Sequence, residues 1–469
     1  MPHVDVLIIG AGLSGVGAAY HLQTNCPGKT YAILEARERL GGTWDLFKYP
    51  GIRSDSDMYT LGYVFKPWTD AKAIADGPSI LRYVQDTARE YGIDRQIHYN
   101  EKVTRAEWAD GQWTITAAQT WTCNFLYACS GYYDYDAGYT PELAGRSDFQ
   151  GTIIHPQHWP EGFDYTGKRI VVIGSGATAV TLVPELAKQA AHVTMLQRSP
   201  TYIMTRPAVD KIADWLRAKL PAKAAYATAR WKNILAGLGF YLYSRKFPGH
   251  AKQLLAKGAA QASGLAPDPH FLPDYNPWDQ RLCLVPDGDL FESLKSGRAE
   301  IVTDHIERIT PTGIQLKSGA HLDADVIVTA TGLQMKMFGG AEVIVDGKRV
   351  GGPETMIYKG CMMSDVPNFA FAVGYTNASW TLKVDLTSVY VCRLINYLDA
   401  HHFTSVRAKR DPHMPEIPVL DFNSGYVKRA LPHLPTQGAE FPWRVYQNYV
   451  KDRNMFSKGE IADDILQFQ

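Results

Sequence analysis

Two glycine turns carry the first chemistry that this sequence can support. Gly10-Ala11-Gly12-Leu13-Ser14-Gly15 has GxGxxG spacing and follows the apolar run Val6-Leu7-Ile8-Ile9. In such a turn Gly10 permits the tight bend, Gly12 lets a pyrophosphate approach the backbone, and Gly15 allows close helix–strand packing. Ser14 sits in the first turn of the helix, where N–H groups attract an anion. Glu35 lies 25 residues after Gly10, at the end of a second apolar run, Tyr31-Ala32-Ile33-Leu34. A carboxylate there accepts hydrogen bonds from the hydroxyls of an unphosphorylated ribose, as in FAD or NAD.

Gly174-Ser175-Gly176-Ala177-Thr178-Ala179 repeats the pattern, with Ala179 in place of the third glycine. Aligning Tyr31–Glu35 with Val193–Gln197 puts Gln197 where the acid stood, with Arg198 next in line. A carboxylate at that place repels a 2′-phosphate, whereas a guanidinium pairs with it through charge-assisted hydrogen bonds. The second turn is therefore expected to take NADPH and the first FAD. Together they imply hydride transfer from nicotinamide to flavin, a step that reductases and monooxygenases share.

Two further segments bear on what a reduced flavin would do. Gly41-Gly42-Thr43-Trp44 and Tyr49-Pro50-Gly51-Ile52-Arg53-Ser54-Asp55 follow the ribose acid, where the chain passes toward the flavin ring. Gly42, Thr43 and Trp44 are expected flavin contacts. Phe149-Gln150-Gly151-Thr152-Ile153-Ile154-His155-Pro156-Gln157-His158-Trp159-Pro160 lies just before the second turn. It fits the pattern FxGxxxHxxxW[P/D] through Phe149, Gly151, His155, Trp159 and Pro160.

On this segment and the two turns, the chain resembles the Baeyer–Villiger monooxygenases, class B flavoprotein monooxygenases, over nearly its whole length. The resemblance implies an enzyme dependent on FAD, NADPH and O2. Such an enzyme inserts oxygen beside a ketone carbonyl through a peroxyflavin, and oxygenates the sulfur of thioethers or thioamides as a secondary activity. A flavin monooxygenase acting only on nitrogen or sulfur is the alternative of the same class. A non-oxygenating sensor that binds NADPH and FAD is the alternative of another.

The resemblance also assigns the catalytic residues. Arg281, within Asp279-Gln280-Arg281-Leu282-Cys283, matches the family's active-site arginine, and Asp55 matches the aspartate that pairs with it. A guanidinium keeps its charge and offers fixed donors to developing negative charge. By spacing alone Asp57 would serve as well as Asp55. His155 is expected to couple the domains and the cofactor rather than to move a proton. There are two departures from the family: Gln280 replaces a lysine that grips the 2′-phosphate in many relatives, and Asp45 replaces an aromatic residue, which bears on the substrate entrance.

These residues need elements to hold them. Each glycine turn is flanked by strands and followed by a helical stretch, Val16 to Gln23 in the first unit and Val180 to Gln189 in the second. The stretch from Pro207 to about Pro273 reads as helical, with Trp215, Leu216, Leu220 and Leu235 among its apolar positions. After it, Phe369–Val373 reads as a strand and Asp385–Leu398 as a helix. The expected fold is α/β, with two Rossmann-like dinucleotide-binding domains, for FAD and NADPH, and a helical insert. The FAD domain is discontinuous, spanning 1–138 and 333–469; the NADPH domain spans 139–205 and 276–332, and the insert 206–275.

Composition narrows the partners. With 469 residues the chain has material for two or three domains. It has 48 Lys and Arg against 48 Asp and Glu, so it carries no global charge to draw nucleic acid, and small molecules are the expected partners: O2 and a ketone or sulfur-containing substrate. Its six cysteines form no CxxC and no metal spacing, and are expected to be reduced core residues. Met1–Asp5 runs straight into a strand without a charged and then apolar leader, which suggests a cytoplasmic protein. The apolar stretch Ile234–Tyr243 is too short to cross a bilayer, and with Lys232, Arg245 and Lys246 beside it allows peripheral membrane contact at most.

Overall fold

The computed structural model describes residues 1–469. It opens with β1 (His3–Ile9), α1 (Leu13–Asn25) and β2 (Tyr31–Leu34). Next come β3 (Ile97–His98), β4 (Arg105–Ala109), β5 (Gln112–Thr116) and β6 (Thr120–Ala128). β1 pairs in parallel with β2 and with β6, and is almost wholly buried from Val6 onward, as befits a strand covered on both faces.

β5 runs antiparallel to β4 and β6, so the first sheet is mixed, whereas the second sheet is wholly parallel. Its strands are β7 (Thr152–Ile154), β8 (Arg169–Ile173) and β9 (His192–Gln197), with α2 (Ala177–Leu186) between the last two. The helices α3 (Lys211–Lys219), α4 (Ala222–Lys246) and α5 (Pro248–Ser263) come next, and then β10 (Ala299–Thr303) and β11 (Val326–Thr329) complete the sheet in the order β10-β9-β8-β11-β7.

The chain then rejoins the first sheet. β12 (Glu342–Val345) pairs with β4, β13 (Lys348–Val350) pairs with β12, and β14 (Phe369–Phe371) pairs with β6. α6 (Trp380–Ala400) packs against α1, and α7 (Tyr449–Lys458) packs against α6. Each unit is thus an α/β fold with its glycine turn at the carboxyl end of a parallel strand, β1 in the first and β8 in the second, where such folds bind ligands.

The helix bounds differ from the expected ones in an informative way. α1 and α2 begin at Leu13 and Ala177, inside the glycine turns, because the fourth and later turn residues already have helical geometry. α6 begins at Trp380, five residues before Asp385, so the whole first turn of that helix was missed. The helical insert is present, but Trp215, Leu220 and Leu235 are exposed on it rather than buried. No helix is long and apolar enough to cross a membrane. All six cysteines are free and buried.

Candidate active site

One cleft of about 990 Å³ runs past both glycine turns. At one end it is lined by Gly10, Gly12, Ser14, Glu35, Gly42, Thr43 and Trp44; at the other by Gly174, Ser175, Gly176, Ala177, Thr178 and Arg198. Asp55 and Arg281 also line it. Of the residues expected to bind cofactor, only Gly15 and His155 lie outside its wall. Gly15 acts instead from behind, since a Cβ there would stand 1.9 Å from the Gly10 carbonyl oxygen.

The donor sets fit two nucleotides. Gly12 and Gly176 are the N-caps of α1 and α2, and neither helix has a side chain capping it, so the first N–H groups face the cleft free to meet phosphate. Gly42, at a φ of 57°, brings a second turn against the first: a Cβ on it would be 3.0 Å from the Gly12 Cα. Glu35 is anchored, because its carboxylate accepts from the N–H of Ala11 at 2.8 Å and of Arg37 at 3.0 Å. Burial raises its pKa, and those two donors together with the Arg37 charge oppose that rise.

Asp45 corrects an expectation. It is buried and pairs with Arg37 at 2.9 Å and Arg39 at 3.4 Å, so it braces the ribose end of the cleft rather than shaping a substrate entrance. The short helix Thr43–Leu46 turns by roughly 100° per residue, which sends Trp44 into the cleft and Asp45 away from it.

At the other end, Gln197 turns inward. Its amide donates to the His270 carbonyl at 3.0 Å and to Thr303 Oγ1 at 2.8 Å. Arg198 is exposed in the cleft wall without an ion-pair partner. Lys317 lines the same end, held by its backbone N–H on the His305 carbonyl, and was missed because it stands in a β-hairpin far along the chain. Gln280 also lines the cleft, so Lys317 supplies a second cation that the sequence pattern placed elsewhere.

The two candidate aspartates separate cleanly. Arg281 Nε donates to Asp55 Oδ2 at 2.8 Å and its Nη2 to Oδ1 at 3.1 Å, a bidentate pair across 226 residues of chain. Asp57 is buried in the wall of an adjoining cavity, where it caps the short helix Met58–Leu61, accepts from Asn233 Nδ2 at 3.0 Å and pairs with Arg206 at 3.3 Å rather than with Arg281. Beside Arg281, the hydroxyls of Tyr132 and Tyr133 are 2.7 Å apart, and Tyr132 stacks on Trp380. Trp380 Nε1 donates to Ser14 Oγ at 2.8 Å, tying the start of α6 to the first turn. These aromatics carried no spacing signal in the sequence.

A smaller cavity of about 150 Å³ adjoins the cleft and shares Asp55, Arg281, Cys283 and Tyr375 with it. Met204, Ile234, Leu238, Phe240, Trp278 and Leu382 give it an apolar side, and Asp57, Arg206 and Asn233 a polar one.

Known proteins agree with this architecture. Residues 7–225 match the pyridine nucleotide-disulphide oxidoreductase family. The FAD-containing monooxygenase EthA of Mycobacterium tuberculosis is 55% identical, over 99% of this chain and 98% of its own length. This chain belongs to the FAD-containing monooxygenases. Among solved structures, OTEMO in complex with FAD and NADP superposes with a TM-score of 0.72 at 25% identity over 87% of each chain. Steroid monooxygenase bound to NADP shares the fold, with a TM-score of 0.78 at 22% identity over 99% of each chain.

Within this monooxygenase His155 sits one layer behind the cleft, with its ring against Gly138, where a Cβ would come within 1.9 Å of it. Its Nδ1 accepts from the Gln157 N–H at 3.2 Å, and its Nε2 is buried without a partner. Burial lowers its pKa from 6.5, and the carbonyl groups of Gly332 and Tyr139 nearby offset only part of this. The unfolded chain therefore takes up this proton first as the pH falls. Its stabilising contribution is full above the unfolded pKa and is lost as pH drops toward the folded one. The thermal midpoint of the wild type is expected to fall more steeply below about pH 6.5 than that of His155→Gln, whose amide oxygen can still accept from Gln157. Parallel curves for the two proteins would exclude His155 as the titrating group.

Proposed function

We propose that this monooxygenase is of the Baeyer–Villiger type: with NADPH and O2 it converts a ketone to an ester, and it oxygenates thioethers or thioamides as a secondary activity. In the overall balance one oxygen atom of O2 enters between the carbonyl carbon and its neighbour. The other leaves as water, formed with the hydride of NADPH and a proton. Bound FAD, reduced by NADPH, supplies the activation of O2.

The protein's own residues bind, orient and shield. The bare N-termini of α1 and α2 hold the pyrophosphates of FAD and NADPH, and Glu35 holds the FAD ribose. Arg198 and Lys317 hold the 2′-phosphate of NADPH. Losing one charge-assisted contact of this kind costs about 1.5–3 kcal/mol, so Arg198→Ala should raise the KM for NADPH by roughly 10- to 100-fold. Lys317→Ala should raise it by a smaller factor, and neither change should alter the KM for NADH. Steady-state kinetics with both coenzymes check this, and an equal effect on NADH would remove the phosphate contact from the explanation.

The observation that carries the reading is the bidentate Arg281–Asp55 pair standing where the nucleotide cleft meets the smaller cavity. A fixed cation there stabilises negative charge on oxygen beside a substrate held by the cavity's apolar side. The separation of the two sheets supports the domain division at 1–138 with 333–469, 139–205 with 276–332, and 206–275. Incubation with NADPH, O2 and an aliphatic ketone should yield ester in step with NADPH consumption. Sulfoxide without ester would favour a monooxygenase of nitrogen and sulfur alone.

A further inference from the structure

The helices α3, α4 and α5 carry charge and apolar surface that the active site does not use. Although the whole chain is balanced, residues 207–273 hold 10 Lys and Arg against 3 Asp and no Glu. Several of these cations are already engaged: Arg217 by Asp214, Lys232 by Asp210 and Arg245 by Asp279, while Arg230 is buried against backbone carbonyls. Lys211, Lys219, Lys223, Lys246 and Lys257 are exposed and have no ion-pair partner.

Large apolar side chains stand among those lysines. Ile212 and Trp215 are 57% and 60% exposed on α3, Leu235 and Leu242 are 53% and 51% exposed on α4, and Phe247 and Leu254 are 49% and 53% exposed at the start of and along α5. Their spacing makes stripes. Ile212, Trp215 and Lys219 recur along one side of α3, next to the buried Ala213 and Leu216. Leu235, Gly239, Leu242 and Lys246 recur on one face of α4, opposite the buried Tyr226, Arg230 and Asn233. Leu254 and Lys257 lie on the outward face of α5, opposite Leu255 and Ala259. α3 packs against α4, and α4 against α5.

We propose that this surface docks on an anionic lipid bilayer, with the apolar stripes entering the headgroup region and the free lysines meeting lipid phosphates. Lysine and apolar side chains alternating on the outer face of surface helices are what interfacial binding requires. A second copy of the chain fits less well, because a two-fold contact of this face with itself brings the same lysines together. α4 adds continuity: Leu238, one turn from both Leu235 and Leu242, lines the cavity beside Arg281 and Asp55 together with Phe240. One helix thereby stands between the bilayer surface and the oxygenation site proposed above, on the path that an apolar substrate dissolved in lipid would take.

The test is flotation of the holoenzyme with phosphatidylcholine vesicles prepared with and without phosphatidylglycerol, for the wild type and two double variants, Trp215→Ser/Leu242→Ser and Lys219→Glu/Lys246→Glu. The wild type should bind the phosphatidylglycerol vesicles at least tenfold more tightly than neutral ones, and each variant should lose tenfold or more. Flavin content and NADPH oxidation should stay unchanged in both, which shows that the variants fold and makes the result independent of which product the enzyme forms. Absence of wild-type binding, or unchanged binding by either variant, would overturn the proposal. So would light scattering in which the wild type is a dimer and Trp215→Ser/Leu242→Ser a monomer, because the face would then belong to a second copy.

Discussion

Replacing Arg281 with alanine is expected to cut product formation by about 100- to 1,000-fold while FAD stays bound and NADPH is still oxidised. The guanidinium is held by two parallel hydrogen bonds to Asp55, so its charge and its remaining donors point in a fixed direction. With 36% of the side chain exposed, those donors face the cleft. The Asp55 charge raises the arginine's pKa further and burial opposes this, so the group stays charged throughout the working pH range. Removing it deletes the one fixed cation where the cleft meets the smaller cavity. The fold should survive, because Asp55 is 29% exposed and can be hydrated once unpaired, and because the glycine turns are formed by other residues. Arg281→Lys keeps the charge but not the two-point geometry and should fall between. Ester formation and NADPH consumption, measured together with flavin absorbance, test this. Undiminished ester from Arg281→Ala would move the catalytic centre elsewhere.

Much of this site could be read from the chain because its demands are local. A glycine turn that must admit a phosphate is written in adjacent letters, and so are the acid at Glu35 and the cation at Arg198. What escaped depends on contacts between distant segments or on the direction of a side chain. Asp55 and Asp57 are two residues apart and alike in type; only the placement of Arg281 against one, and of Asn233 and a helix terminus against the other, distinguishes them. Asp45 was tied to the substrate entrance by its position after Trp44, but neighbours in a helical turn point different ways, and Arg37 and Arg39 hold it at the ribose end. Gln197 stands in the place of an acid yet turns into the core, while Lys317 reaches the same end of the cleft from a hairpin. Local letters thus mark the two glycine turns that line the cleft, and distant pairings decide which charged groups face it.

The same dependence on distant contacts predicts the largest loss of stability, at a pair with no motif at all. Lys383 on α6 and Asp452 on α7 meet at 2.6 Å, with side chains only 3% and 1% exposed. Asp452 also accepts from the Tyr375 hydroxyl at 2.7 Å, and Tyr375 lines both the cleft and the smaller cavity. Two charges so deeply buried are costly to bring out of water, and their attraction offsets that cost only while both are present. Lys383→Met strands the carboxylate, with the Tyr375 hydroxyl as its remaining donor, and should destabilise the protein by about 3–5 kcal/mol. Lys383→Met/Asp452→Asn leaves no buried charge, and its amide can still accept from Tyr375, so the double variant should be more stable than the single one. Denaturant titration followed by tryptophan fluorescence measures both. A double variant as unstable as Lys383→Met would show that the packing of the lysine chain against Phe456, rather than the pairing of charges, holds α6 and α7 together.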